Sequence, residues 1–279
     1  MRLALCNNIL SLDRPLVMGV LNVTPDSFSD GGRFLAAGSA IAHAERMVAE
    51  GVDIVDVGGE STRPGAAIVT VDQELDRVIP VIEAIVARCD VPVSVDTSKP
   101  AVMNAAASAG AAMINDIRAL GEDGAMATAA GLDLAICLMH MQGTPATMQA
   151  NPHYGELPGE IIDFLAERVA ACEAAGIDRD RLVVDPGFGF GKNDAHNLAI
   201  LAGLAAFDRL GLPLLVGWSR KRTLGNLTGR GPGERASAGI AAAVMAFERG
   251  AHIIRTHDVA GTVDALKVAV AVREAGKQS

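Results

Sequence analysis

Short apolar runs recur eight times along this chain, and a stretch with helical patterning follows each of them. The apolar runs occupy residues 17–21, 54–57, 93–95, 113–115, 135–139, 182–184, 214–216 and 253–255. The helical stretches occupy residues 36–50, 72–89, 99–109, 125–130, 160–175, 196–210, 234–249 and 262–274. Repeated strand-then-helix units predict a parallel sheet with helices packed on its outside.

Eight such units can either close into a barrel or form a wide, doubly wound open sheet. Two features favour the barrel: the count is eight, and residues able to do chemistry follow many strands instead of one switch point. The length of 279 residues also suits one barrel, for which about 250 is typical. We therefore predict an α/β fold, a single (β/α)8 TIM-barrel domain spanning residues 1–279. Residues 1–14 are a short N-terminal extension, predicted to form a plug or hairpin over the bottom of the barrel.

The composition limits both the core and the partners of the chain. Apolar residues make up 50% of it and aromatic residues only 3%, so the core must consist mainly of Ala, Val, Ile and Leu. The net charge of −9 and the lack of a basic stretch argue against a nucleic-acid partner. A phosphorylated ligand would therefore need a local cluster of cationic side chains.

The cysteines and the lengths of the apolar runs indicate where in the cell the protein resides. The four cysteines, at positions 6, 89, 137 and 172, form no C-x-x-C pair, and we interpret them as small apolar residues in a reducing compartment. No apolar run approaches the roughly 18 residues needed to cross a membrane, and the first run ends too early for a signal peptide. We therefore predict a soluble, cytoplasmic protein with no membrane partner.

Polar side chains follow most of the predicted strands at their carboxyl ends, which in a barrel all meet at one face. A single Asp in such a place is as often a helix cap or a turn former as a functional group. A ring with both carboxylates and cations suits a ligand that has a hydrogen-bonding ring at one end and an anion at the other. The ring comprises Asn22, Asp56, Asp96, Asn115, Asp116, His140, Asp185, Ser219, Arg220, Lys221, Arg255 and His257.

Three polar or glycine-rich loops would stand over this face. Residues 22–32 and 58–66 have the composition of lids over a barrel mouth, although both could be ordinary surface loops. Residues 185–192 read Asp-Pro-Gly-Phe-Gly-Phe-Gly-Lys, and their glycines would let the backbone approach a flat ligand that Phe188 or Phe190 could cover. No nucleophile elbow or zinc-protease motif occurs, which argues against Ser-His-Asp and zinc hydrolysis.

Eight segments spread over nearly the whole chain carry distinctive motifs. They are residues 18–32 (MGVLNVTPDSFSDGG), 56–65 (DVGGESTRPG), 94–98 (SVDTS), 114–117 (INDI), 139–143 (MHMQG), 185–192 (DPGFGFGK), 219–221 (SRK) and 255–258 (RTHD). In this order they resemble the motifs of the dihydropteroate synthases. One such motif would be weak evidence, whereas eight in register are strong evidence for membership of this family.

The resemblance implies a transferase of folate biosynthesis. In this family 6-hydroxymethyl-7,8-dihydropterin pyrophosphate loses pyrophosphate at its CH2 group, and the amine of p-aminobenzoate attacks there to give 7,8-dihydropteroate. Because the arylamine is already neutral near pH 7, catalysis rests mainly on positioning and on stabilising the leaving group. The motif matches assign the flat pterin to Asp96, Asn115, Asp185, Lys221 and Arg255.

The same matches supply residues for the other ligands. Pyrophosphate would be held by Asn22, Arg63, Arg255 and His257, with Mg²⁺ as cofactor and with Asn22 and Asp30 as its protein ligands. The p-aminobenzoate pocket would comprise Phe28, Thr62, Pro64, Phe190, Ser219 and Arg222. The residues assigned to catalysis are Asp96, Lys221, Arg255, His257 and Arg63. Some family members have Ser at position 222, so the carboxylate contact could be the Arg222 guanidinium or backbone alone.

Two other functions would fit a similar barrel. A pterin-binding methyltransferase domain of corrinoid-dependent systems would share the pterin residues but would not need the pyrophosphate set, which this chain has. A non-catalytic pterin-binding paralogue is expected to lack Asn22, Arg255 or His257, and all three are present. The resemblance also implies a homodimer formed by the late helices. It further implies inhibition by sulfonamides, since Phe28 and Pro64 match the family pattern.

Overall fold

Parallel strands at the centre and helices around them make up the structure, a computed structural model. It describes the backbone of residues 1–6, 8–24, 33–61 and 69–277, and the side chains of all of these except 33–37 and 277. The strands are β1 Arg2–Leu5, β2 Asn8–Ser11, β3 Leu16–Asn22, β4 Ile54–Gly58, β5 Val93–Asp96, β6 Met113–Asp116, β7 Ala135–Met139, β8 Leu182–Asp185, β9 Leu215–Val216 and β10 Ile253–Thr256. The α-helices are α1 Arg33–Ala49, α2 Val71–Arg88, α3 Pro100–Ser108, α4 Ala125–Ala130, α5 Gly159–Ala174, α6 Asp194–Ala202, α7 Arg222–Thr228, α8 Ala236–Glu248 and α9 Val259–Lys277.

Strands β3 to β10 form one parallel sheet that closes on itself. Its hydrogen-bonded order is β8-β7-β6-β5-β4-β3-β10-β9. The two ends of the sheet meet through a bridge between Val184 and Leu214, where the Val184 N–H also donates to Pro213 O over 2.9 Å. The predicted (β/α)8 barrel is therefore confirmed, and the open, doubly wound sheet is excluded.

Helix α2 illustrates how the outer helices are defined and anchored. Thr70 caps it, because its hydroxyl accepts from Gln73 N over 3.3 Å while the Gln73 side chain accepts from Thr70 N over 3.1 Å. Val78, Ile82 and Ile85 recur at helical spacing and are fully buried against the barrel. The burial of this apolar stripe supplies most of the energy that holds such a helix in place.

The first two strands cover the bottom of the barrel. β1 and β2 pair antiparallel, and Leu3 and Leu5 pack with residues at the amino ends of the barrel strands, among them Ile54 and Met113. The predicted N-terminal plug is this hairpin. It seals the end of the barrel opposite to the carboxyl ends of the strands.

The sequence prediction missed helical detail between β8 and α8. The predicted helix 196–210 is α6 followed, after Gly203, by a 3-10 helix at Leu204–Leu210. The short helix α7 was not among the predicted helical stretches, and α8 begins at Ala236 instead of residue 234. Several glycines interrupt the helical pattern here, because glycine disfavours helix interiors.

The four cysteines differ in how far they are buried. Cys137 and Cys172 are buried, Cys6 is exposed, Cys89 is half-buried, and all four are free thiols. Within the part of the chain that the structure describes, no helix has both the length and the apolar character required of a membrane span.

Candidate active site

Four neighbouring positions form a row at the carboxyl ends of adjacent strands. Asn22 on β3 pairs with Gly58 on β4, Gly58 pairs with Asp96 on β5, and Asp96 pairs with Asn115 on β6. Gly58 leaves room for its neighbours: a Cβ at this position would lie 3.7 Å from Asn22 Oδ1 and 3.8 Å from Asp96 Oδ2. Asn22 and Asp96 therefore approach each other across a residue without a side chain.

An ion cluster joins this row to β10. Arg255 Nε donates to Asp56 Oδ2 over 2.6 Å, and Arg255 Nη2 donates to Asp96 Oδ2 over 2.9 Å. Asn115 Nδ2 donates to the same Asp56 oxygen over 3.1 Å. Asp56 is 0% exposed, so its charge must be paired within the protein. The cluster sets the positions of Arg255, Asp96 and Asn115 relative to one another without any ligand.

Asp56 is the central residue of this cluster, and the motif matches assigned it no role. It stood in the predicted ring of polar residues, but only as one member among many. The available signal was a carboxylate inside the apolar run at 54–57, because a buried carboxylate is rarely left without a partner.

The pKa values at both ends of the cluster are raised, but for different reasons. Burial raises the pKa of Asp96 to about 7, and the Arg255 guanidinium acts against that rise. Burial alone would lower the pKa of Arg255, but Asp56 and Asp96 outweigh it and raise this pKa above its usual range. Arg255 is therefore always a cation, whereas Asp96 can be either protonated or ionised near neutral pH.

Asp185 and Lys221 are two further opposite charges on the same rim, near enough to affect each other's pKa. Asp185 ends β8, is 6% exposed, and accepts from Gly187 N over 2.7 Å. Burial raises the pKa of Asp185, and the charge of Lys221 opposes this. Burial also lowers the pKa of Lys221 to about 8, with the charge of Asp185 opposing it. Lys221 Nζ donates to Phe188 O and lies 4.6 Å from the centroid of the Phe190 ring.

The glycine-rich segment 185–192 lies directly against the segment after β7. Gly187 has φ +69°, and a Cβ there would overlap the backbone oxygen of His140. Gly191 has φ +62°, and a Cβ there would lie 2.5 Å from Gln142 O. Glycine is required at both positions by conformation and by space.

The structure also decides between the two phenylalanines of this segment. Phe188 is buried and packs on Trp218 with ring centroids 4.8 Å apart, so it belongs to the core. Phe190 is half-buried beside Lys221 at the rim and remains available to a ligand. Trp218 is itself buried and fills space behind Phe188.

The residues predicted after β9 and β10 lie together. His257 N donates to Ser219 Oγ over 3.1 Å, and His257 Nδ1 lies 3.1 Å from the same oxygen. Arg222, the first residue of α7, is exposed and donates to Gln149 Oε1 over 3.1 Å. The proposed sites for an anion and for p-aminobenzoate therefore adjoin each other through Ser219 and His257.

Two members of the predicted ring have structural roles instead. Asp116 accepts from Arg118 N and Leu120 N, each over 2.8 Å, and so forms the turn after β6. His140 is buried next to Lys192, and burial lowers its pKa to about 3, so it is a neutral imidazole. For Asp116 the turn-former alternative was correct.

The structure describes only the ends of the two predicted lids. Residues 25–32 and 62–68 lie outside the described residues. The site residues that fall there are Phe28, Asp30, Thr62, Arg63 and Pro64. The base of the second loop is held by Glu60, which pairs with Lys99 and accepts from Val69 N over 3.3 Å.

A cavity of about 220 Å³ opens beside the carboxyl ends of β6 and β7, where Ile117 and Met139 line it together with Phe164 of α5. Neither Asn115 nor Asp185 lines this cavity, so it lies beside the charged rim and not within it. Among the described residues, no three His, Cys, Asp or Glu side chains are grouped to hold a metal ion by themselves.

The fold and this rim define a pterin-binding enzyme built on a (β/α)8 barrel, and the family model described as pterin binding enzyme matches residues 18–257. Dihydropteroate synthase of Escherichia coli K12 is 55% identical over 266 residues, which covers 95% of this chain and 94% of that protein. The chain belongs to the dihydropteroate synthase family, a family of transferases, as its motifs predicted.

Solved structures of the family have the same fold. The Yersinia pestis dihydropteroate synthase in complex with a sulfonamide drug superposes with a TM-score of 0.94 at 51% identity, over 98% of this chain and 100% of that one. The Xanthomonas albilineans dihydropteroate synthase with 4-aminobenzoic acid gives a TM-score of 0.92 at 53% identity, over 98% of both chains.

Proposed function

We propose that this protein condenses 6-hydroxymethyl-7,8-dihydropterin pyrophosphate with p-aminobenzoate to give 7,8-dihydropteroate and pyrophosphate. One observation carries the proposal: the buried carboxylate of Asp185 and the carboxylate of Asp96, which is 16% exposed, share a rim with the cations of Lys221 and Arg255. The carboxylates suit the N–H edge of a flat heterocycle, and the cations suit its carbonyl and a leaving anion. Membership of the dihydropteroate synthase family supports the same reaction.

The direct test is turnover by the purified chain. Incubation with the pterin pyrophosphate, p-aminobenzoate and Mg²⁺ is expected to yield dihydropteroate, detected by mass. Omission of p-aminobenzoate is the matched control. Absence of product from a folded protein that binds both substrates would refute the proposal.

The pterin ring would dock between the two charged groups. Asp185 accepts from the amino and ring N–H donors, and Asn115 and Asp96 contact other ring atoms. Lys221 exchanges its bond with Phe188 O for the pterin carbonyl and ring nitrogen. Arg255 stacks on the ring while its guanidinium stays bound to Asp56.

The pyrophosphate would leave toward the cationic part of the rim. As the CH2–O bond breaks, its electron pair goes to the pyrophosphate, whose charge Arg255 and His257 stabilise, with Arg63 from the second lid. Asp96, as a carboxylate, stabilises the positive charge that develops on the CH2 group of the pterin. The amide oxygen of Asn22, which lies beside the side-chain-free Gly58, is a hard oxygen donor that fits Mg²⁺, and Asp30 would join Asn22. Bound there with the substrate, Mg²⁺ would neutralise pyrophosphate charge.

The p-aminobenzoate would lie against Phe190, with Ser219 and Arg222 near its carboxylate and with Phe28, Thr62 and Pro64 closing the pocket. Its amine attacks the CH2 carbon, the C–N bond forms, and the amine releases a proton to solvent or to the departing pyrophosphate. Arg222 can supply a guanidinium to the carboxylate if it releases Gln149, and the backbone at the start of α7 is the other candidate.

Binding of the pterin pyrophosphate is expected to weaken as the pH rises through about 8. Burial lowers the pKa of Lys221 below its ordinary value, so the ammonium that donates to the pterin is lost through this range. The KM for the pterin substrate should therefore rise above this pH. Lys221→Met should have a high KM already at neutral pH and no such rise. The same rise in both proteins would contradict this role of Lys221.

Sulfonamides are expected to inhibit turnover in competition with p-aminobenzoate. Phe190 and Ser219 lie at the rim, where the aromatic ring of either compound would bind. A similar enzyme, that of Yersinia pestis, has been solved in complex with a sulfonamide drug. The measurement is the inhibitor concentration for half activity at two p-aminobenzoate concentrations. Inhibition that does not weaken at the higher concentration would argue for a different site.

Three further properties remain proposals. The chain forms one domain over residues 1–279 and acts in the cytoplasm. It also forms a homodimer through its late helices, on which Met245, Val268 and Val272 expose large apolar side chains. Light scattering that gives the mass of one chain would refute the dimer.

A further inference from the structure

Lys192 is a buried lysine to which the reaction assigns no role. Its side chain is 1% exposed and is among the largest fully buried side chains of the described residues. Its Nζ lies 2.9 Å from His140 Nδ1, 2.9 Å from Phe190 O and 3.3 Å from His140 O. None of the carboxylates that the structure describes forms an ion pair with it. A buried amine is costly unless it is hydrogen-bonded, so these contacts need an explanation.

The three acceptors tie two parts of the site together. His140 directly follows β7, and its backbone N–H donates to Asp185 O over 3.0 Å. Phe190 lies in the glycine-rich segment and carries the ring at the rim. Because burial lowers the pKa of His140 to about 3, its imidazole is neutral and can accept at Nδ1 from the Lys192 amine. Lys192 therefore crosslinks the end of β7 to the backbone under Phe190.

The same segment is held at four consecutive carbonyls by four different side chains. Lys221 donates to Phe188 O, Gln149 to Gly189 O over 2.6 Å, Lys192 to Phe190 O over 2.9 Å, and Tyr154 to Gly191 O over 2.8 Å. In the proposed reaction Lys221 releases its carbonyl to bind the pterin. The other three can stay bound during the reaction.

We infer that Lys192 is a positioning residue for p-aminobenzoate, acting through the Phe190 carbonyl and His140; this rests on the function proposed above. Lys192 holds the main chain of Phe190 in place while Lys221 exchanges partners, so the ring keeps its position as the wall of the second substrate's pocket. Lys192 itself stays beneath the rim and does not touch either substrate.

The test compares Lys192→Met with the unaltered chain. Methionine has a similar length and is apolar, so it fits a buried position but donates no hydrogen bond. We expect the KM for p-aminobenzoate to rise at least about tenfold, which corresponds to roughly 1.4 kcal/mol, while kcat falls less than about threefold. Lys267→Met, which removes an exposed lysine of α9, is the matched control and should change neither.

A second readout does not depend on turnover. Trp218 is the single tryptophan of the chain and packs on Phe188 within the same segment, so its emission reports on the position of that segment. Lys192→Met should shift this emission, and Lys267→Met should not. If the unaltered chain makes no dihydropteroate, the proposed function fails, but the emission and the binding of p-aminobenzoate still test the role of Lys192.

An unchanged KM within twofold, together with unchanged Trp218 emission, would overturn the inference. An equal loss in both KM values with a matching loss of cooperative unfolding would also overturn it, since that is the signature of a merely structural residue. Should Lys192→Met not fold, Lys192→Gln takes its place, because its shorter side chain is polar but ends short of the Nζ position that bridges His140 Nδ1 and Phe190 O. A folded Lys192→Gln with an unchanged KM would count equally against the proposal.

Discussion

Replacement of Arg255 by methionine is expected to reduce the free energy of unfolding by about 3–5 kcal/mol and to abolish turnover. The guanidinium is the partner of Asp56, which is 0% exposed, and of Asp96. Without it, the two carboxylates would lie near each other in the barrel mouth, and among the described residues only Asn115 would still donate to one of them. The measurement is urea unfolding, analysed as a two-state transition.

A second substitution separates the structural from the functional contribution. Adding Asp56→Asn to Arg255→Met removes the unpaired buried charge, so most of the lost stability should return. Turnover should stay absent, because the guanidinium that stacks on the pterin and stabilises the departing pyrophosphate is missing. Arg230→Met is the control, since its pair with Glu234 is exposed and should contribute less than about 1 kcal/mol. A double variant as unstable as Arg255→Met would show that the carboxylate of Asp56 is not the source of the loss.

The second large effect is expected for Asp185→Asn. Its carboxylate would accept two N–H donors of the pterin, and hydrogen bonds to a charged group contribute about 1.5–3 kcal/mol each. Loss of the charge and of one acceptor should therefore weaken pterin binding by at least about 100-fold. Calorimetric titration of the purified variant measures this, and Asp180→Asn, at an exposed position of the 3-10 helix Arg179–Arg181, is the matched control.

The ligand-free Asp185→Asn protein should be at least as stable as the parent at neutral pH. Burial raises the pKa of Asp185 above its unfolded value, so the folded state favours the protonated form. The stability linked to this group is present below the unfolded pKa of about 3.9 and is lost as the pH rises through the folded value. The variant's advantage should thus grow from pH 4 toward neutral pH. If Asp185→Asn bound the pterin substrate with unchanged affinity, or lost affinity together with folding, the proposed role of Asp185 in pterin binding would be contradicted.

Strand positions were predictable because of where the strands lie. Parallel strands covered on both faces read as continuous apolar runs, so the predicted runs 135–139 and 17–21 correspond to β7 and to β3 within one residue at each end. Helix α7 was not predictable by the same means, since glycines at 225 and 229 interrupt its pattern.

The sequence also predicted most of the polar residues that lie at the barrel mouth, because residues that follow parallel strands must meet at one face. The sequence did not predict which of these residues bind a ligand and which have a structural role. Asp116 and His140 stood in the ring as Asp96 and Asp185 did, yet the first forms a turn and the second is a buried neutral imidazole. Only the direction in which each side chain points separates these cases.

The sequence by itself determined the eight strand-helix units, the family and the face on which the site lies. These follow from local periodicity and from motifs whose residues are near neighbours in the chain. The tertiary structure alone decided that Arg255 pairs with Asp56 and Asp96, which are 199 and 159 positions away, and that Lys192 lies beneath Phe190. Closure of the barrel sets which distant side chains meet and which charges lose their water, and no local pattern encodes that.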